Sequence, residues 1–249
     1  MVSVVPSIRR HVDVAPQRVV VLGASNVTRS ITAIFQSLTN SYDAPIELLA
    51  AHGHGRSYGI ETSVLGRRLP SIRDCGLWNA LERRVPRPAK VLLTDIGNDL
   101  IYGSAVDTVF GWVCDCVDRL ASAENEIAVA QLPVVNFERI TPRMFAVMKQ
   151  IFFPSCEVDL STLLERAREI SELLEKEFSE RSIRIIEPIA SWYGWDPIHV
   201  RRRCWSEAWP VILAFSDAKP DRDTMRHLSF WQKLRIKCGA PHERVGALA

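Results

Sequence analysis

Five short apolar runs, RVVVLGA (18–24), IELLAA (46–51), VLLTDI (91–96), IAVAQLP (127–133) and IRIIEP (183–188), alternate with longer segments whose apolar residues recur every three or four positions. A run without polar alternation suits a strand covered on both faces, and the longer segments suit amphipathic helices. Strands joined by helices make crossover connections. The expected fold is therefore a three-layer α/β/α sandwich around a mainly parallel sheet of about five strands. The clearest helix is DLSTLLERAREISELLEKEFSE (159–180), where Leu160, Leu163, Leu164, Ala167, Ile170, Leu173 and Leu174 form one stripe and Asp159 stands at the N-cap position. We expect one domain over 1–249, with its core at about 18–214 and a C-terminal extension over 216–249. In that extension MRHLSFWQKLRIK (225–237) reads as a further helix.

Composition narrows the function classes. A formal charge of +2 over 249 residues lacks the basic excess of a dedicated nucleic-acid binder. The first residues, MVSVVPSIRRHVDVAPQ, lack the apolar core of a secretory signal, and no window reaches the length of a membrane span. The six cysteines, Cys75, Cys114, Cys116, Cys156, Cys204 and Cys238, follow no disulfide-scaffold spacing, and Cys114-x-Cys116 lacks a second pair for zinc. These features lead us to expect a cytoplasmic protein with reduced thiols and no membrane span.

In an open parallel sheet, ligands bind beyond the carboxyl ends of the strands, so the residues after each run carry the functional signal. After the first run come Gly23, Ala24, Ser25 and Asn26. Ser25 suits either a helix cap or a nucleophile whose alkoxide is favoured by the helix dipole. A dinucleotide-binding turn would need further glycines, where Asn26, Val27, Thr28 and Arg29 stand. After the second run, HGHGRSYG (52–59) offers a glycine-rich turn whose N–H groups could face a negative charge. His52 and His54, with no carboxylate beside them, make a poor metal pair. After the third run, Asn98 of DIGNDLIYG could donate a hydrogen bond without carrying charge. After the last, Asp196 and His199 are spaced so that a carboxylate can orient an imidazole within one turn.

Serine, glycine, asparagine and Asp-x-x-His in this order resemble the SGNH hydrolase superfamily, the GDSL esterase/lipase family, over roughly residues 18 to 214. The resemblance implies a flavodoxin-like SGNH hydrolase fold, with Ser25 as nucleophile, His199 as general base and Asp196 orienting it. The implied oxyanion hole comprises the N–H of Ser25, that of Gly55 (Gly53 being the alternative) and the side chain of Asn98. The pattern departs from the family at Ala24, where an aspartate is usual, and at Ile96 and Pro197, where glycines are usual. Four tryptophans, Trp192, Trp195, Trp205 and Trp209, flank the Asp-x-x-His segment, as does Tyr193. They could wall a substrate pocket or pack the last helix. Arg201, Arg202 and Arg203 could meet an anionic substrate group, or Glu207 in a solvated face. Trp195 and Arg201 are the candidate substrate-binding residues. The expected activity is hydrolysis of a small-molecule carboxylic or carbohydrate O-acyl ester, without metal or other cofactor. The alternatives are acyl transfer by the same triad and a non-catalytic binding module on the same fold.

Overall fold

A computed structural model of the chain describes residues 15–64, 66–153, 156–218 and 244–247. In chain order, β1 (Gln17–Leu22) leads into α1 (Ser25–Ser41), followed by β2 (Ile46–Ala51). A hairpin of β3 (Thr62–Val64) and β4 (Arg67–Leu69) precedes α2 (Leu77–Glu82), β5 (Ala89–Leu93), α3 (Asn98–Ile101) and α4 (Val106–Leu120). Then come β6 (Glu126–Ala130), α5 (Val134–Phe137), α6 (Pro142–Phe152), α7 (Leu160–Glu180) and β7 (Arg184–Ile186). The 3-10 turns Ala190–Trp192 and Arg202–Cys204 lead to α8 (Trp205–Ile212), and β8 (Arg244–Ala247) closes the series.

The main sheet has the order β7-β6-β5-β1-β2-β8. The pairings β1–β2, β1–β5, β5–β6 and β6–β7 are parallel, as the alternating pattern requires. A sixth strand adds to the expected five: β8 pairs antiparallel with β2 through Glu47↔Ala247 to Ala50↔Arg244. RVGA is too short to carry an apolar-run signal, and its partner is an open sheet edge, which offers backbone donors and acceptors to any sequence. The segment 225–237, expected to be helical, lies outside the described residues.

Successive side chains of a strand point to opposite faces, and β1 fills both. Val20 and Leu22 pack with α4 and α7 through Val113, Val117, Ala167 and Ile170. Val19 and Val21 pack with α1 and α8 through Ile31, Ile34, Ala208 and Trp209. This two-sided burial explains why the strand reads as an unbroken apolar run. On α7 the Asp159 side chain accepts the N–H of Thr162 at 2.9 Å, and Leu163, Ala167, Ile170 and Leu174 are buried. The third and fourth ladders stop at Leu93 and Ala130, short of the ends of the apolar runs. The chain turns at Asp95, whose φ is 60°. Because β1 lies between β2 and β5, its two crossovers leave in opposite directions, and a crevice opens where they diverge.

Candidate active site

The corner between β1 and α1 lies at that crevice. A Cβ on Gly23 would come within 2.6 Å of Val27 and 2.8 Å of Thr94, so only glycine lets the turn press against the end of β5. The N-cap of α1 is Ala24, which has no side chain to cap with, and Ser25 is the first helical residue. The cap comes from another strand: Asp95 Oδ2 accepts the N–H groups of Ala24 at 2.7 Å and Asn26 at 3.1 Å. The N–H of Ser25, between those two, has no partner among the described residues. The Ser25 hydroxyl lies 2.8 Å from His199 Nε2, so it makes no N-cap bond.

His199 Nδ1 in turn lies 2.7 Å from Asp196 Oδ2. A carboxylate there accepts Nδ1–H, which leaves Nε2 with the lone pair that can take the serine proton. The second oxygen of Asp196 accepts the N–H groups of Ile198 at 3.1 Å and His199 at 3.2 Å, and Arg29 stands 3.4 Å from Oδ2. Burial pushes the Asp196 carboxyl up, but the bond from His199, its charge and the two backbone donors outweigh burial and hold it below its ordinary value. His54 is near enough to feel the His199 charge; burial first, then His199, Arg29 and Arg67, pushes it below its ordinary value.

Asn98 is buried at the start of α3 and donates one amide hydrogen to the Arg56 carbonyl at 3.1 Å. An amide has two such hydrogens, so one remains to donate. The Arg56 guanidinium is fully buried and holds the surrounding loop by donating to the carbonyls of Pro70 and His52 at 3.1 Å each. Asp99 ties the same loop down by accepting from the Ser57 hydroxyl and from the Tyr58 N–H at 3.1 Å. Burial raises the Asp99 carboxyl to about 6, against the downward pull of those bonds.

Gly55 adopts a φ of 65°, which favours glycine, and its carbonyl accepts the Tyr102 hydroxyl at 2.6 Å. The carbonyl of Gly53 accepts the Arg56 N–H at 3.2 Å. His52 Nδ1 lies 2.9 Å from the Thr28 hydroxyl. Among the described residues no group of three or more His, Cys, Asp or Glu side chains is placed to hold a metal.

A cavity of about 90 Å³ opens from Ser25 and Asn98 across the carboxyl ends of β5, β6 and β7. At about 10–15 Å³ per water in this measure, it has room for several waters or a short chain of carbons. Its walls are chiefly apolar, among them Leu100, Leu132, Phe145 and Leu163. The aromatic cluster divides. Trp192 and Trp209 are buried and line the cavity with Tyr193, whereas Trp195 is 72 % exposed and lies outside the lining. The indole of Trp205 donates to the Val200 carbonyl at 3.1 Å, and that of Trp192 to Glu207 at 3.1 Å. Arg201 also lies outside the lining. Its guanidinium donates to the Ser191 carbonyl, and its stem lies against Gly194, so it braces the histidine loop. Sequence reasoning gave no role to Asn26 or Asp95, although Asp95 lies inside the third apolar run, just beyond the end of β5.

No protein-family model and no curated protein matches the sequence. Solved structures do. The native aryl esterase of M. smegmatis aligns with a TM-score of 0.52 at 12% identity, covering 79% of this chain and 96% of that one. A carbohydrate acetylesterase family member from Sinorhizobium meliloti aligns with a TM-score of 0.52 at 12% identity, covering 78% and 93%. The chain thus shares the SGNH hydrolase fold of these esterases.

Proposed function

We propose that the protein is a serine esterase that cleaves a small-molecule carboxylic or carbohydrate O-acyl ester. The observation that carries this reading is the continuous hydrogen-bonded series Ser25 Oγ, His199 Nε2, His199 Nδ1 and Asp196 Oδ2, at 2.8 and 2.7 Å, beside an apolar cavity. His199 takes the hydroxyl proton as Ser25 attacks the ester carbonyl, and Asp196 stabilises the imidazolium. The negative charge that develops on the carbonyl oxygen is met by the Ser25 N–H and the free amide hydrogen of Asn98, with the N–H of Gly55 as third donor. His199 returns the proton to the leaving alcohol. Water, activated by the same imidazole, then releases the acid. The cavity receives the acyl group, since apolar walls next to the nucleophile exclude water and favour hydrocarbon. Fold likeness to an aryl esterase and a carbohydrate acetylesterase supports ester chemistry in general terms.

Labelling with a fluorophosphonate probe tests the reading. Folded protein should label at Ser25 and lose labelling in Ser25→Ala. Hydrolysis of p-nitrophenyl esters that survives Ser25→Ala unchanged would refute it.

A further inference from the structure

Ser25 and His199 lie 174 residues apart in the chain, and one side chain ties their two segments together. Asn26, next to the serine, donates from Nδ2 to the Ile198 carbonyl at 3.0 Å and accepts the Val200 N–H at Oδ1 at 2.9 Å. Both neighbours of His199 are thus bonded to one amide. Nδ2 also donates to Asp95 Oδ1 at 2.7 Å, while Asp95 Oδ2 holds the N–H groups of Ala24 and Asn26. Asp95 occupies the left-handed region at φ 60°, a conformation that costs a residue with a Cβ about 1–2 kcal/mol and persists where surrounding bonds over-determine it.

We propose that Asn26, oriented by Asp95, is a positioning residue that sets the height and tilt of His199 over Ser25. The chemistry demands an amide here, because a single side-chain end must donate to one carbonyl and accept from another residue's N–H. A carboxylate could not donate and would face Asp95, and a hydrocarbon could do neither. The block that lacks its usual aspartate at Ala24 has a carboxylate brought to it from Asp95. The inference rests on Ser25 and His199 acting as nucleophile and base.

The test is Asn26→Leu, close in shape and devoid of polar atoms, assayed on a p-nitrophenyl ester well below its Tm. Misplacing a base by about 1 Å costs on the order of 10²-fold, so kcat should fall roughly 10- to 100-fold with KM within about threefold. In His199→Ala, adding Asn26→Leu should lower kcat no further than about twofold, since the residue acts through the imidazole. Independently of activity, the proton shared by His199 Nδ1 and Asp196 should give a low-field NMR signal in the unmodified protein that broadens or vanishes in Asn26→Leu. If Asn26→Leu fails to fold, Asn26→Asp, which keeps the acceptor and loses the donor, is judged by the same criteria. An unchanged signal with kcat within about twofold of the unmodified protein would overturn the proposal. Activity that survives Ser25→Ala would instead defeat the esterase reading, and the NMR comparison would still decide the role of Asn26.

Discussion

The two segments that meet at the Ser25–His199 bond are built in opposite ways. The serine stands on a corner between a fully buried central strand, Val19 to Leu22, and a 17-residue helix. The histidine stands on a segment between β7 and α8 whose regular structure is confined to two 3-10 turns, with Trp195 72 % exposed and the Asp196 side chain 39% exposed. The first is held by backbone ladders and core packing. The second has fewer backbone bonds, among them Arg201 N–H to the Trp192 carbonyl, and it buries Trp192 and Val200. Side-chain bonds add to these: Asn26 to Ile198 and Val200, Arg201 to Ser191, Trp192 to Glu207. Local stability follows the density of buried contacts, so the serine corner draws its support mainly from strand and helix packing, and the histidine segment relies more on bonds across loops.

The sharpest way to break this contrast is to remove each chemical group in turn. Ser25→Ala and His199→Ala should each lower kcat for ester hydrolysis by about 10³-fold or more, because the two groups act as a unit. A His199→Ala rate within tenfold of the unmodified protein would remove the loop from the chemistry. Asn98→Ala probes the serine side and should cost roughly 10²-fold in kcat if its amide meets the oxyanion, with little change in KM.

A smaller effect reports on the loop beneath Asn98. Asp99 folds with its carboxyl raised to about 6 from 3.8, so the folded state binds this proton more tightly than the unfolded chain. The associated stability is present at low pH and is lost as pH rises from about 4 to 6. Comparing denaturant unfolding of Asp99→Asn and the unmodified protein at pH 4 and pH 7 isolates it. The unmodified protein should lose up to about 3 kcal/mol relative to the variant over that interval. The smallest effect belongs to Trp195→Ala, which should shift KM by about threefold at most and leave kcat and Tm unchanged, as suits an exposed residue outside the cavity lining.

Much of this architecture was legible in the chain. Five apolar runs match the five parallel strands, because a strand covered on both faces is apolar at most positions, and Asp159 marks the start of α7 by the chemistry of its cap. The residue types that resemble a hydrolase site could be sought because they fall in the segments after four of the parallel strands, although Asp196 and His199 stand well beyond the end of β7. Arg201 and Trp195 were harder. Their sequence neighbourhood says that they lie near the histidine, but whether a long side chain turns toward a cavity or back onto its own loop depends on which carbonyl comes within its reach, here that of Ser191. β8 was invisible because edge pairing uses the backbone, which every residue carries.

Periodicity and spacing by themselves determined the layers, the parallel sheet and the edge at which chemistry could occur, because burial and strand geometry act on neighbours along the chain. Only the tertiary structure decided that Asp95 caps the helix that Ala24 cannot, that Asn26 clasps both sides of His199, and that the serine hydroxyl faces an imidazole instead of its own helix. Those are bonds between groups up to 174 residues apart, and no local preference encodes their direction.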